Sequence, residues 1–456
     1  MKNLFARKPL RLIMQEPEVE QHKLKRVLGP WGLISLGIGV IIGCALAGLC
    51  YAEFASMIPI SGSAYTYAYA TLGEFLAWII GWDLVLEYLF GASTVAVGWS
   101  GYMVSFLKDF NINIPAAFCQ APLSYSVTNG WHATGAILNC PAIFIVGLMT
   151  TLLVIGIRES AGFNNLIVII KLAVIVLFIG VGVFFIQLAN WSPFLPANTG
   201  QFGSFGWSGV VRGAGVIFFA YIGFDVVSTA AQEARNPQRD MPIGILGSLV
   251  ICTIIFILMT GVLTGIMKYT NLAVPDPVAV AVNAAGPGIA WFRPFIKIGA
   301  IAGLSSVVLV LLMAQPRVFF SMARDGLLPA GFARVHPRFK TPYIPTILTG
   351  CTAVMVSGIF PINILGELVS IGTLLAFVIV CIGVLVLRYR HPEIPRVFRT
   401  PWVPFVPIAG AFVTLLQMVF LPVDTWIRLF VWMAVGIVIY FFYSRKHSRL
   451  RILSPE

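Results

Sequence analysis

Charge is scarce in this 456-residue chain: 11% of its residues are Asp, Glu, Lys or Arg, against about 25% in a soluble protein. That shortage excludes an ordinary water-soluble enzyme and a charged, disordered chain. Cysteine is sparse too. None of Cys44, Cys50, Cys119, Cys140, Cys252, Cys351 and Cys381 forms a Cys-x-x-Cys pair, so a zinc or dithiol redox motif is missing. Five of them lie in apolar runs, as small hydrophobes do. Cys119 and Cys140 share one polar loop and could pair if that loop is extracytoplasmic. The five histidines (His22, His132, His336, His391, His447) fall in loops or tails, which leaves no metal site and no histidine proton relay expected inside an apolar region. The first 30 residues lack a short apolar core, so no cleavable secretory signal is expected. No His, Cys or paired acids stand in catalytic spacing at a span edge, which argues against a membrane enzyme, and no cofactor is expected.

What the chain has in abundance is apolar sequence. Hydrophobic residues make up 58% of it and the mean hydropathy is +0.90. A crossing helix needs about 20 mainly apolar residues, and eleven candidates follow one another. They run over about 31–56, 74–107, 142–157, 163–187, 208–232, 242–267, 289–322, 344–360, 364–387, 403–421 and 425–443. The fold class is therefore an all-α polytopic membrane bundle over 31–443, flanked by basic tails at 1–30 and 444–456. The bilayer is its first partner.

The net charge of +12 reads as an orientation signal rather than a nucleic-acid site, because the basic residues cluster at both ends and in short segments between spans. Those at Arg158, 235–239, 317–340, 388–399 and 445–451, with the N-terminal tail, hold 23 of the 30 Lys and Arg. Counting back from a cytoplasmic C terminus puts all the internal ones on the cytoplasmic side. The count fails at the start. Both the N-terminal tail and 57–73 should be cytoplasmic, yet a single crossing at 31–56 joins them. Either 31–56 dips in and returns, or one flank lies on the other side, or a segment is missing.

Two spans are rich in helix-weakening glycine: Gly37-Ile38-Gly39-Val40-Ile41-Ile42-Gly43, and Gly213-Ala214-Gly215 through Gly223-Phe224-Asp225. Close helix packing through Gly-x-x-x-Gly explains the first. A pair of discontinuous helices lining a midplane site explains both. Lys171 is the one basic residue well inside a span, where a charge costs at least ~2.5 kcal/mol, and it is a candidate proton carrier. Asp83 and Glu87 are four residues apart and share a helical face. Glu87 is the candidate acid facing a central cavity.

Four segments carry a resemblance. Glu233-Ala234-Arg235-Asn236-Pro237-Gln238-Arg239-Asp240-Met241-Pro242-Ile243-Gly244-Ile245 is one. Arg317-Val318-Phe319-Phe320-Ser321-Met322-Ala323-Arg324-Asp325-Gly326-Leu327-Leu328-Pro329 with Thr341-Pro342 is another. Tyr51-Ala52-Glu53-Phe54 with Pro59-Ile60-Ser61-Gly62-Ser63-Ala64-Tyr65, and Gly81-Trp82-Asp83-Leu84-Val85-Leu86-Glu87-Tyr88, complete the set. Together they resemble the amino acid–polyamine–organocation transporters, in the cationic amino acid transporter branch, over about 31–443.

The resemblance implies a twelve-helix, inverted-repeat fold of the leucine-transporter type, with an amino acid and a proton as cargo and the plasma membrane as location. It also locates the anomaly. In that family the first glycine-rich segment continues as G-T-G-I-F, whereas here Gly43 runs straight into Cys44-Ala45-Leu46-Ala47 and on to Tyr51-Ala52-Glu53, which resembles the end of helix two. Roughly 30 residues, about one and a half crossings, are implied to be absent.

For the site, the resemblance implies that backbone carbonyls of Phe218, Phe219, Ala220, Tyr221, Ile222 and Gly223 meet the substrate amino group, with Phe219 as an aromatic gate. Gly39 and Gly43 would begin the cradle for the carboxylate, a half-helix N-terminus, whose continuation is missing. Lys171 would stand where relatives hold sodium, beside Ser305 and Ser306. Asp225 would orient the broken backbone, and Leu311, Leu312 and Met313 would border the cavity. The expected function is proton-coupled amino acid transport by alternating access. The alternative is a transport-incompetent derivative of the same fold, acting as a sensor or partner or without function.

Overall fold

The computed structural model describes residues 30–57, 63–126, 130–156, 160–193, 195–221 apart from 199, 201 and 204, then 223, 236–272, 277–286, 291–339, 341–390, 392 and 396–448. The side chains of 30–43 and of 157–166 are outside that description, as are Ile222 and Asp225 entirely.

Each expected span contains a helix. In chain order these are α1 (Pro30–Met57), a short α2 (Ser63–Thr71), α3 (Glu74–Asp109), α4 (Cys140–Ile155), α5 (Ser160–Gly182), α6 (Gly206–Ile217), α7 (Pro237–Ile266), a short α8 (Pro277–Ala284), α9 (Arg293–Arg324), α10 (Tyr343–Ile359), α11 (Ile362–Arg390), α12 (Phe405–Val419) and α13 (Val423–Ile439). The last runs on through a π turn at Tyr440–Ser444 to His447. The ends follow local chemistry. Asn139 caps α4, its Oδ1 accepting from the Ala142 N–H at 3.3 Å, with Pro141 in the first turn, where its missing donor costs nothing. Gly156, at φ +80, closes the same helix. Pro237 opens α7 and Pro294 opens α9 in the same way. Midway along α3, Leu86–Phe90 forms a π segment, which widens the helix by one residue at Glu87, just after Asp83.

Burial separates centre from periphery. In α3 and α11, 72% of the most apolar window is buried, against 11% in α5. The central pair therefore packs on protein, and α5 turns its Ile, Val and Leu side chains to lipid. The main core gathers Trp78, Tyr51, Tyr67, Tyr88, Phe54, Phe218 and Phe377, all fully or almost fully buried. A second cluster, built on Phe178, Val262, Ile266 and Phe292, joins α5, α7, α8 and α9.

Hydrogen bonds tie the inter-helix segments into two faces. On one, Tyr65 Oη donates to Asp325 Oδ2 at 2.6 Å, Ser444 Oγ to the Leu327 carbonyl at 2.7 Å and Tyr440 Oη to Glu74 Oε1 at 2.8 Å. Ser448 donates to the other oxygen of Glu74. This face also collects the described basic residues of 324–338, 388–390, 396–399 and 445–447. On the opposite face a hairpin of β1 (Leu123–Ser126) and β2 (Gly130–Ala133) pairs Tyr125 with Trp131. It is seated by Asn363 Nδ2, which donates to the Tyr125 carbonyl at 3.2 Å, and by the Tyr125 hydroxyl, which donates to Asp424. Cys119 and Cys140 are separate thiols.

The first span is one unbroken helix of 28 residues. At 1.5 Å per residue it rises about 40 Å, one full crossing. It does not dip and return: Met57 lies on the basic face, and Pro30 at the other end of the helix.

Candidate transport site

Three local features close the α-helical part of α6; residues 224–235 lie outside the described residues. The helix passes at Phe218–Tyr221 into a 3-10 turn, and Gly223 follows at φ +128, a conformation rarely open to a residue with a Cβ. The tighter turn leaves carbonyls without α-helical partners. One of them, that of Val216, is taken by Ser370 Oγ of α11, which donates to it at 2.8 Å. Gly215 permits the approach of α12, since a Cβ there would come within 3.0 Å of the Gln417 carbonyl.

Aromatic rings hold this break against α1 and α11. Phe218 is fully buried and meets Phe377 edge-on, with centroids 5.2 Å apart; Phe377 meets Tyr51 of α1 at 5.3 Å. On the other side Tyr221 is edge-on to Phe256 at 5.2 Å and accepts a hydrogen bond from Thr253 Oγ1 at 3.3 Å. The backbone of Phe219 and Ala220 lies in the 3-10 turn. The Phe219 side chain, the expected gate, is outside the described residues, as is Ile222.

Gly39 and Gly43 lie inside continuous α1. The N–H groups of an α-helix interior are engaged by carbonyls four residues back, so no half-helix N-terminus opens beside these glycines. The structure thus brings α1 to the α6 break without the fork in its backbone that two facing half-helices would provide.

Lys171 projects from α5 toward α9, its Cβ and Cδ both 3.7 Å from where a Cβ on Gly303 would stand. Ser305 and Ser306 follow within a turn. Ser305 Oγ accepts from Trp99 Nε1 at 2.9 Å and donates to the Ile301 carbonyl at 2.7 Å, while Ser306 Oγ donates to the Gly303 carbonyl at 2.7 Å. The lysine and the serines share a neighbourhood, but among the described residues no hydrogen bond joins them. Glu87 and Asp83 are fully buried on α3. Asp83 Oδ1 lies 3.3 Å from the Cβ position of Gly372 on α11, and among the described residues neither of its carboxyl oxygens has a hydrogen-bond partner. Leu311 and Leu312 are buried on α9, with Leu311 Cδ1 3.3 Å from the Cβ position of Gly91. Among the described residues, no three of His, Cys, Asp and Glu gather as a metal would require.

One charged centre was not anticipated. Glu53, fully buried near the end of α1, binds Arg388 through both carboxylate oxygens at 2.8 Å and pairs with Arg396 at 3.2 Å. It also accepts from the Thr400 N–H at 2.8 Å. Its one legible signal was an acid inside an apolar run, on the same expected side as four arginines. Lys297, 3% exposed, similarly holds Asp109 at 2.7 Å on the opposite face.

A many-helix bundle in which a helix gives way to a 3-10 turn against the central pair suits a secondary transporter. The chain belongs to the amino acid permease family, whose model matches residues 24–442. That family is one of polytopic helical permeases with the leucine-transporter-like fold. The chain is similar to the methylthioribose transporter of Bacillus subtilis (strain 168), at 45% identity covering 99% of this chain and 100% of that one. It is 41% identical to the branched-chain amino acid permease BcaP of the same organism, covering 98% and 99%. It is 34% identical to the vacuolar cationic amino acid transporter 4 of Arabidopsis thaliana, covering 86% and 68%. The first of these alignments runs over 479 positions, more than the 456 residues here. At least 23 of its positions therefore have no counterpart in this chain.

Proposed function

We propose that the chain is a secondary transporter of amino acids, coupled to protons and working by alternating access across the plasma membrane, with its basic face cytoplasmic. The observation that carries this reading is the passage of α6 into a 3-10 turn at Phe218–Tyr221, packed through Phe218 and Phe377 of α11 toward Tyr51 of α1. Backbone carbonyls at such a turn suit an ammonium group. Cationic and small neutral amino acids both fit the class. The branched-chain permease, similar over nearly the whole chain, supports the neutral side. Lys171 is the proton carrier in this reading, and Glu87 is the acid bordering the cavity.

A second reading is favoured by α1. Because that helix is unbroken and the relatives are longer, the half-site for a substrate carboxylate is absent, and the chain is a transport-incompetent form of the fold. Uptake of labelled arginine, lysine, alanine and leucine into proteoliposomes, with and without an imposed proton gradient, separates the two. Gradient-driven accumulation by monodisperse protein supports the first. No uptake, restored when a family-like segment is inserted after Gly43, supports the second and overturns the first.

A further inference from the structure

The segment from Arg388 to Phe405 joins α11 to α12 at the basic face, where both helices leave the apolar layer. It carries four arginines and one histidine against one acid, Glu393. The arginines divide by direction. Arg388 and Arg396 turn inward to Glu53, and Arg396 also donates to the carbonyls of Pro392 at 3.2 Å and Leu387 at 3.4 Å. Thr400 is drawn in as well, its N–H to Glu53 and its Oγ1 to the Leu49 carbonyl at 3.1 Å. With those three anchored, Arg390 and Arg399 face outward and are exposed. The same segment carries three strongly exposed large side chains: Trp402 at 82%, Phe405 at 77% and Tyr389 at 74%. Trp402 takes φ +45, a left-handed conformation seldom adopted by a residue with a bulky side chain.

Outward-facing indole, phenol and phenyl rings beside guanidinium groups, at the level where helices exit the bilayer, match one environment. Tryptophan and tyrosine favour the headgroup layer, and arginine offers a planar fork that fits a phosphate bidentately. We propose that the exposed surface of Tyr389, Arg390, Arg399, Trp402 and Phe405 is a docking site for the headgroup of an anionic phospholipid. In it Arg390 and Arg399 hold the phosphate charge and Trp402 and Phe405 sit among the glycerol and upper acyl groups. The buried Glu53 cluster is the frame that turns these side chains outward. The occupant is a lipid rather than a soluble anion because the rings and the arginines form one surface at the membrane boundary. This inference does not depend on whether the chain transports.

The test is lipid titration of the full-length, detergent-solubilised protein. Phosphatidylglycerol and phosphatidylcholine with brominated acyl chains are added separately, and quenching of tryptophan fluorescence is followed. Phosphatidylglycerol is expected to quench at lower concentration than phosphatidylcholine, and Trp402→Phe to remove much of that quenching. An arginine near an anionic leaflet contributes about 1 kcal/mol, so R390Q/R399Q should weaken phosphatidylglycerol binding about 30-fold. R390K/R399K should retain most of it, as a folding control with the charge kept. R445Q/K446Q, on the same face, should stay near wild type. Wild-type affinity in R390Q/R399Q, or an equal loss in R445Q/K446Q, would overturn the proposal. So would full displacement of the lipid by glycerol 3-phosphate at matching concentration, which would mark a site for free phosphate.

Discussion

The Glu53 carboxylate receives the Arg388 guanidinium as a fork, Nε on Oε1 and Nη2 on Oε2, both at 2.8 Å. A bidentate pair of this kind is the stronger form of charged hydrogen bond. It clamps the end of α1 to the end of α11. Glu53 is fully buried and Arg396, its second partner, is 4% exposed, so neither charge can fall back on water. Replacing Glu53 by Gln strands those guanidinium groups. Breaking one side of a buried pair costs about 3–5 kcal/mol, and the thermal midpoint in detergent should fall accordingly. A midpoint within a degree of wild type would refute the clamp.

A second expectation concerns the seam between α3 and α13. Trp82 stacks on Trp432 with centroids 4.7 Å apart, and Trp78 Nε1 donates to the Gly436 carbonyl at 2.8 Å. A Cβ on Gly436 would stand 2.4 Å from Trp82 Cδ1. Gly436→Ala must therefore push the indole aside, an overpacking cost of about 1–3 kcal/mol. Thermal unfolding read by tryptophan fluorescence should show both a lower midpoint and a shifted emission maximum. An unchanged spectrum would mean that the seam gives way more easily than its geometry implies.

Ser370 offers a local test of the α6 break. Its hydroxyl satisfies the Val216 carbonyl, and removing it in Ser370→Ala leaves that group without its partner, at a cost of about 1–3 kcal/mol. The loss should appear as faster hydrogen exchange in peptides covering 206–221, with those of α9 unchanged. Uniformly faster exchange would point to global destabilisation instead.

Lys171→Met tests coupling. If the lysine carries the proton, the variant should lose at least about tenfold of gradient-driven uptake while counterflow exchange of substrate persists. Wild-type dependence on the gradient would remove Lys171 from that role.

On the opposite face the Tyr125 hydroxyl donates to Asp424, and this bond, with the nearby negative charge, raises the phenol above the usual tyrosine range of about 10. The sign follows from which form the fold favours. A raised folded value means the protonated phenol is preferred in the folded chain. The bond's contribution is complete below the unfolded value and disappears as the pH rises through the folded one. The hairpin should therefore loosen only in strong alkali. The tyrosinate absorbance difference between wild type and Tyr125→Phe should rise later than that of an ordinary tyrosine, and a difference rising at the ordinary position would count against the bond.

The hydropathy pattern alone placed a helix in each of the eleven expected spans, six of these helices being long and apolar enough to cross a membrane among the described residues, and the glycines of 213–223 marked where α6 leaves the α-helical form. Both are local properties: twenty apolar residues in a row, or several helix-weakening residues together, act on their own stretch of chain. The parity failure at the first span was legible for the same reason, since charge and apolar length can be counted along the chain. Its resolution was not. The glycines at 37, 39 and 43 permit either a fork or a continuous helix, and the packing of α1 against α6, α7, α11 and α12 accompanies the continuous form. Nor could sequence pair Glu53 with Arg388, 335 residues away, or set Asp83 against Gly372, or divide the arginines of 388–399 into two facing in and two facing out. Burying a charge is tolerable only where a partner arrives from elsewhere in the chain, and which partner arrives depends on how the helices pack together.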